Sequence, residues 1–269
     1  MRGLSYSPRM LRLLMIGDIY AEPGLRAVRK LLPPLREQFD FVLANAENAS
    51  GGRGVHDLAL SSLFKLGVDC VTLGNHTWRH QDIYGWLEDP RVLRPLNYPE
   101  GTPGRGLASF QVGGERLAVA SALGRVFMEP MDCPFQAMDL ALKGQDLGTV
   151  VLDFHAEATS EKAAMAAFLD GRVGAVLGTH THVATADERI LPGGTAFQTD
   201  VGMTGVRDSV IGADPEAPVK NFRGRIPQRL KPAQGTAWLH ATALSLQGGR
   251  AVAVSRISLS EEVAVVSAQ

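Results

Sequence analysis

Residues 11–18 read LRLLMIGD, an apolar run that is broken only by Arg12 and ends in Gly17 and Asp18. Such a run is typical of a strand buried on both faces of a parallel sheet. The same pattern recurs twice, with helical periodicity between the runs: strands over 41–46 and 68–73, helices over 24–38 and 57–66. This alternation of strand and helix predicts a parallel sheet with right-handed crossovers.

Further along the chain the pattern changes to hairpins and short strands. Apolar segments flank a pair of glycines twice, and each arrangement predicts an antiparallel hairpin: 107–112 with 116–122, and 236–246 with 251–259. Two more short strands are predicted over 150–154 and 173–178, with a helix over 161–169 between them. The fold class predicted is therefore α/β, with two packed mixed β-sheets flanked by helices.

The chain shows no repeat or linker, so a single domain over residues 10–269 is expected, after a loose tail over residues 1–9. Met1 and Met10 are both compatible starts, because the first strand begins directly after Met10. Pro33 and Pro34 are expected to break or kink the first helix. Residues 202–231 are rich in Gly, Pro and charge, which predicts a long irregular loop.

Composition excludes several classes of protein. The 27 Lys and Arg residues against 28 Asp and Glu residues give a net charge of −1, which argues against broad nucleic-acid binding. No stretch reaches the roughly 18–20 apolar residues that a membrane helix needs, and the N-terminus lacks a signal-peptide pattern. Cys70 and Cys133 lie far apart and imply no disulfide framework. A cytoplasmic location without membrane association is expected.

Polar side chains follow the ends of five predicted strands. In open α/β sheets the ligand site lies beyond the carboxyl ends of the strands, so these groups are expected to converge. Two of the imidazoles occupy alternate positions of what is expected to be an extended segment, which would point both at one site. The candidates are Asp18, Glu47, Asn48, Asn75, His76, His155, His180 and His182.

Carboxylate, amide and imidazole donors suit divalent transition metals, whereas the set is too rich in nitrogen for a calcium cage. The candidates are too many for one tetrahedral ion, so two ions with a bridging carboxylate are the simplest interpretation. Asp18 alone could equally be a helix cap, and residues 74–76 alone could be a turn. Packing alone is a poor explanation for both His180 and His182.

Taken as an ordered set, these residues resemble the calcineurin-like metallophosphoesterase superfamily, and most closely its YmdB-like bacterial phosphodiesterases. The resemblance covers residues 10 to about 259, and it implies an α/β/β/α metallophosphoesterase sandwich. The segments that carry it are 16–19 (IGDI), 45–49 (NAENA), 51–54 (GGRG), 72–78 (TLGNHTW), 178–182 (GTHTH) and 200–205 (DVGMTG). Two departures from the wider superfamily, Tyr20 in place of a histidine and Glu47-Asn48 in place of Gly-Asp, are typical of the YmdB-like group.

The resemblance implies two metal ions, iron or manganese, that share Glu47. One ion would be held by Asp18, Glu47 and His182, with Asn48 as a possible further ligand. The other would be held by Glu47, Asn75, His155 and His180. His76 would donate a proton to the leaving oxygen.

The implied activity is hydrolysis of small, nucleotide-like phosphodiesters, including 2′,3′-cyclic nucleotides. Two alternatives stay open: a phosphomonoesterase or nucleotidase with the same site, and a regulatory protein of RNA metabolism or signalling in which binding outweighs hydrolysis. Arg53 is a candidate substrate contact, although its segment could equally be a flexible loop. Asp200 is a second candidate, whose segment could equally be a tight turn or an inter-subunit contact in a homo-oligomer.

Overall fold

The computed structural model describes residues 9–262. The predicted tail, residues 1–9, lies outside this range except for Arg9. The strands are β1 Leu11–Ile16, β2 Asp18–Ile19, β3 Phe41–Asn45, β4 Cys70–Thr72, β5 Val92–Leu93, β6 Leu107–Val112, β7 Glu115–Leu123, β8 Thr149–His155, β9 Ala175–Thr179, β10 Arg189–Ile190, β11 Ala196–Gln198, β12 Met203–Val206, β13 Ala237–Gln247 and β14 Arg250–Ser260. The helices are α1 Ala21–Arg36, α2 Asp57–Lys65, α3 Ile83–Trp86, α4 Pro134–Leu142, α5 Thr159–Leu169 and α6 Glu216–Gly224.

The strands form two mixed sheets. In the eight-stranded sheet, β1 lies between parallel β3 and antiparallel β13; β4 and β5 follow β3, while β14, β12 and β2 complete the other side. The six-stranded sheet has the order β10-β11-β9-β8-β7-β6, with a parallel centre and antiparallel strands at both edges. The predicted βαβαβ unit and both predicted hairpins are confirmed.

The alternation of side chains along β1 explains the layering, because successive residues of a strand face opposite sides of a sheet. Leu13 and Met15 belong to the core between the two sheets, whereas Leu14 and Ile16 belong to the core beneath α1 and α2. A third core joins the six-stranded sheet to α4 and α5. The predicted fold class, two packed mixed sheets flanked by helices, is therefore confirmed.

The predicted break of the first helix at Pro33 and Pro34 is wrong. Helix α1 continues to Arg36, so both prolines lie within its last turn. A proline removes the hydrogen bond that its own N–H would make to the residue four positions earlier, and here only two such bonds are lost near the helix end. Apolar burial of Val28, Leu31 and Leu32 holds the helix on the sheet.

The predicted irregular loop over 202–231 is also partly wrong. It contains β12, whose Met203 pairs with Asp18 in parallel register, and the helix α6, which begins directly after Pro215. Short strands of this kind have too few residues for a periodic signal. Helix α4 and the short strands β5, β10 and β11 were also not predicted. Within the described residues, no helix is both long enough and apolar enough to span a membrane.

Candidate metal centre

The carboxyl ends of strands from both sheets meet at one edge of the molecule, and this brings the predicted ligands together. Asp18 begins β2, while the turns after β3 and β4 carry two residues each: Glu47 and Asn48, and Asn75 and His76. From the other sheet, His155 ends β8, and His180 and His182 follow β9. The predicted convergence is present, and each sheet supplies part of the cluster.

Glu47 lies at the centre of the cluster and is fully buried. Its Oε1 lies 3.0 Å from His155 Nε2 and 3.2 Å from the Asn48 amide nitrogen. Its Oε2 accepts a hydrogen bond of 2.9 Å from the His76 main-chain N–H. Ligand atoms of Glu47, His155 and His180 lie within 4.8 Å of one another, a spacing that could hold a metal ion. Glu47 Oε1 thus lies within 3.2 Å of side chains on both sides of the cluster.

On one side of Glu47, the donors of three residues face each other. His155 Nε2 lies 3.1 Å from Asn75 Oδ1 and 3.1 Å from His180 Nδ1. The Thr179 hydroxyl donates to Asp153, at 2.6 Å, so it can only accept from His155 Nδ1, at 2.8 Å. In its neutral form, His155 therefore carries its proton on Nδ1 and has the Nε2 lone pair free for a cation.

Asp153 anchors this arrangement from beneath. Its carboxylate accepts hydrogen bonds from the side chains of Asn45 (2.9 Å), Thr72 (2.5 Å) and Thr179 (2.6 Å), which come from both sheets. Complete burial raises the pKa of Asp153 to about 6, although these hydrogen bonds and His155 oppose that rise. The Asp153 network fixes the His155 tautomer and ties the two sheets together under the site.

On the other side of Glu47, His182 lies against Asp18 and Asn48. His182 Nε2 is 3.6 Å from Asp18 Oδ1 and 3.1 Å from the Asn48 amide nitrogen. His182 Nδ1 donates to the Ile211 carbonyl at 2.9 Å, which again leaves Nε2 as the free lone pair. Asn48 presents its nitrogen here, so a ligand oxygen at this position requires the amide to rotate by a half turn.

The charges within the cluster are strongly coupled. Burial disfavours the His155 cation, but the negative charge and hydrogen bond of Glu47 outweigh burial and raise the pKa of His155 to about 9. Burial and the nearby His155 lower the pKa of His180 to about 3. For Glu47, His155 and His76 outweigh burial and hold the carboxyl pKa well below its usual range. The buried Glu47 carboxylate is stable in its charged form only beside a positive charge, and the neighbouring His180 imidazole is neutral. This combination favours a bound cation.

The turn after β9 differs from the prediction that His180 and His182 alternate along an extended segment. His180 has φ of 97° and His182 has φ of 65°, so both occupy the left-handed region that residues with a Cβ seldom adopt. The imidazoles converge because the chain coils around the site, with the His180 main-chain N–H donating to Asp18 at 3.0 Å. Such strain is characteristic of functional sites.

A buried ion pair supports that turn. Lys162 and Asp200 are both fully buried, and their Nζ and Oδ2 atoms lie 2.7 Å apart. Asp200 also accepts bonds from the hydroxyl and the main-chain N–H of Thr181. Asp200, a predicted substrate contact, thus lies beneath the turn and does not line the cleft. Sequence reasoning missed Lys162, whose signal is a lysine on the same helix face as Met165 and Leu169.

Above the cluster lies a cleft of about 330 Å³. His76 borders the cleft with 29% of its side chain exposed, and its Nδ1 lies 2.9 Å from Asn48 Oδ1. Glu157, which sequence reasoning missed, is also on the cleft wall and lies 3.2 Å from His180 Nε2. Arg53, a predicted substrate contact, lines the same cleft.

Gly74 leaves room for the cluster. A Cβ at this position would lie 2.3 Å from Glu47 Oε2 and 2.5 Å from His155 Nε2. Any other residue would therefore displace the central carboxylate or the imidazole. Gly74 is therefore required because a side chain there would clash with Glu47 and His155, whatever the turn itself requires.

The sequence and the structure both match a known family. The model of the family described as YmdB-like protein matches residues 14–257. A 2′,3′-cyclic-nucleotide 2′-phosphodiesterase of Bacillus subtilis is 42% identical in an alignment of 259 residues that covers 94% of this chain and 98% of that protein.

Solved structures agree with this match. A hypothetical protein from Thermus thermophilus has a TM-score of 0.91 and 50% identity, covering 93% of this chain and 99% of that one. A novel phosphatase from Mycoplasma pneumoniae has a TM-score of 0.90 and 30% identity, covering 94% of both chains. With the fold and the ordered residues in agreement, this chain belongs to the YmdB-like protein family.

Proposed function

We propose that the protein is a phosphodiesterase that hydrolyses small nucleotide-like diesters, including 2′,3′-cyclic nucleotides, with two transition-metal ions, iron or manganese. The observation that carries the proposal is the position of Glu47 between two groups of metal donors. The Bacillus subtilis relative, named for the cyclic-nucleotide reaction, supports the substrate class. The near-neutral charge of the chain is compatible, because bound cations supply the positive charge that a phosphate ester needs.

The donor set fits two such ions. Asp18, Glu47 and His182, with Asn48, would hold one, and Glu47, Asn75, His155 and His180 would hold the other. Both His155 and His182 have their Nδ1 proton occupied elsewhere, as ligating histidines usually do. When bound, the ions would lower the pKa of water and offset charge on the phosphate oxygens.

His76 is the residue that we propose moves a proton. Its main-chain N–H donates to Glu47 Oε2, its ring Nδ1 lies 3.3 Å from Glu47 Oε1, and the ring lines the cleft. The imidazolium form can then give the Nε2 proton to the departing alkoxide. An alkoxide is a poor leaving group, so this proton matters most for unactivated esters.

His76→Ala tests that role. The substitution should reduce turnover of a cyclic nucleotide by about 10²-fold or more, as expected for the loss of a general acid. Turnover of a diester with an activated phenolate leaving group should fall far less, because that group departs without a proton. Equal losses on the two substrates would contradict the assignment. Metal content, measured on the same samples, should stay unchanged.

The central experiment is metal analysis of the purified protein together with a substrate panel. The panel contains a 2′,3′-cyclic nucleotide, a linear diester and a nucleoside monophosphate. We expect two ions per chain and fastest hydrolysis of the cyclic diester. Preferred hydrolysis of the monophosphate would favour the nucleotidase alternative. A cellular effect that survives in a variant without metal would favour the regulatory alternative.

A further inference from the structure

A second pocket of about 410 Å³ opens beside the metal cleft. The two share four wall residues, so they form one continuous groove: Tyr20, Gly52, Arg53 and Leu230. None of the proposed metal ligands lines the second pocket. A substrate bound at the cluster can therefore extend into this pocket, which the hydrolytic reaction itself does not use.

The second pocket is strongly basic. Arg53, Arg79 and Arg229 line it together with His80, and its wall contains no Asp or Glu. All three arginines are exposed, and within residues 9–262 none of their guanidinium groups forms an ion pair. Three unpaired guanidinium groups around one concave surface favour an anion with several oxygens, and phosphate matches their planar donor geometry best.

The main chain of the loop that carries Arg53 is fixed by contacts on two sides. Gly52 and Gly54 have φ of 90° and 78°, and a Cβ at Gly52 would lie 2.6 Å from the Tyr20 hydroxyl. On the opposite side, His80 Nε2 lies 3.1 Å from the Arg53 carbonyl. The main chain of the loop is thus held between Tyr20 and His80, so the loop itself does not have to become ordered when Arg53 binds a ligand.

We propose that this pocket binds a second phosphate group of the substrate, attached at the 5′ position of the nucleoside whose cyclic phosphate is hydrolysed. This inference rests on the proposed function and narrows its substrate class. The second phosphate could be a terminal 5′-phosphate or the internucleotide phosphate of a short oligoribonucleotide. A local basic pocket on a chain of net charge −1 recognises a particular end group, without general affinity for nucleic acid.

Kinetics on three substrates tests the proposal: a 2′,3′-cyclic nucleotide, its 5′-phosphorylated form, and a dinucleotide that ends in the cyclic phosphate. The double variant Arg79→Ala/Arg229→Ala removes two guanidinium groups that lie outside the metal cleft. The matched control is Arg223→Ala, another exposed arginine without an ion pair among the described residues.

For the wild type we expect kcat/KM to be about tenfold higher when the second phosphate is present, as charge-assisted hydrogen bonds would give. The double variant should lose that preference through KM, and its kcat/KM on the simple cyclic nucleotide should change by less than about twofold. A gain with both extended substrates indicates that any 5′-phosphate suffices, and a gain with the dinucleotide alone indicates the internucleotide linkage. A preference that survives in the double variant would overturn the proposal, as would its absence in the wild type.

A binding measurement separates this proposal from the proposed function. Calorimetric titration of the metal-loaded protein compares a nucleoside 3′,5′-bisphosphate with the corresponding 3′-monophosphate. The double variant should weaken bisphosphate binding about tenfold and leave monophosphate binding unchanged. If this difference is seen without hydrolysis of any diester, the second pocket binds phosphate as proposed but the proposed function is wrong. If diesters are hydrolysed but the difference is absent, the pocket assignment is wrong.

Discussion

On one side of Glu47, His155 is held by side chains from both sheets, whereas on the other side His182 is held by a main-chain carbonyl. The His155 side rests on Thr179 and Asp153, all three of which are fully buried. The His182 side rests on the carbonyl of Ile211, an exposed residue with φ of 47°. The first side is part of the sheet edges, and the second depends on a coil between β12 and α6.

This difference shows that a cluster with similar donors can be supported in two ways. Buried hydroxyl and carboxylate groups on adjacent strands hold an imidazole rigidly, because each strand is fixed by its own ladder of hydrogen bonds. A coil holds an imidazole only as firmly as the coil itself is packed. We therefore expect the His155 side to be the tighter ion site, and four measurements probe how each side is held.

Glu47→Ala should have the largest effect, because Glu47 belongs to both sides. Metal content should fall at both positions, and turnover of a cyclic nucleotide should fall by about 10³-fold or more. Glu88→Ala, at an exposed carboxylate that does not line the cleft, serves as the control. Retention of both ions and of activity would show that Glu47 is not the bridge.

The affinity of the His155 side for Mn²⁺ should rise with pH. His155 has a pKa raised to about 9, and the ion binds only its neutral form, so each ion must displace one proton. Affinity should therefore increase about tenfold per pH unit below pH 9, or about 100-fold from pH 6.5 to 8.5, and level off above. Titration calorimetry in buffers of different ionisation enthalpy would count the protons. A flat profile would contradict the charge assigned to His155.

Thr179→Val should separate the two sides. The substitution removes the hydroxyl that accepts from His155 and donates to Asp153, so metal affinity on the His155 side should fall by about 10-fold to 100-fold. The His182 side should keep its affinity within about threefold. Thr179→Ser retains the hydroxyl and is the matched control. Equal weakening of both sides would show that the two are one rigid unit.

Ile211→Gly should have the smallest effect. Its left-handed backbone is strained for a β-branched residue, so glycine should raise the free energy of unfolding by about 1 kcal/mol or less. The Ile211 carbonyl remains, so ion affinity on the His182 side should change by less than about twofold. Ile211→Ala keeps a Cβ and is the control. Denaturant unfolding measures the stability of both variants. A large loss of affinity would show that the side chain, which is 55% exposed, supports His182 directly.

The sequence was most informative about the polar residues at the carboxyl ends of the strands. Buried apolar runs located β1, β3 and β4, and the polar residues directly after them, such as Asp18 and Glu47, were placed correctly because parallel strands share one carboxyl edge. Short segments were missed, such as β12, because two to four residues contain no measurable period.

The support of the site was harder to predict than its ligands. His180 and His182 adopt left-handed backbone conformations because the surrounding fold imposes them. Histidine has little intrinsic preference for that conformation, so the sequence does not indicate it. Thr179 and Asp153 look like ordinary strand residues until β8 and β9 are aligned with β3 and β4. The pairing of Lys162 with Asp200 likewise links residues 38 positions apart through packing alone.

The proposed ions would also link the two sheets to each other. Glu47 comes from the eight-stranded sheet and His155 from the six-stranded sheet, so one ion bound by both joins layers that are otherwise held by apolar contact and a few polar bonds. Ligands that bind only the folded state stabilise it in proportion to the logarithm of their concentration. The supply of metal in the cell would then set how long the protein survives as well as how fast it works.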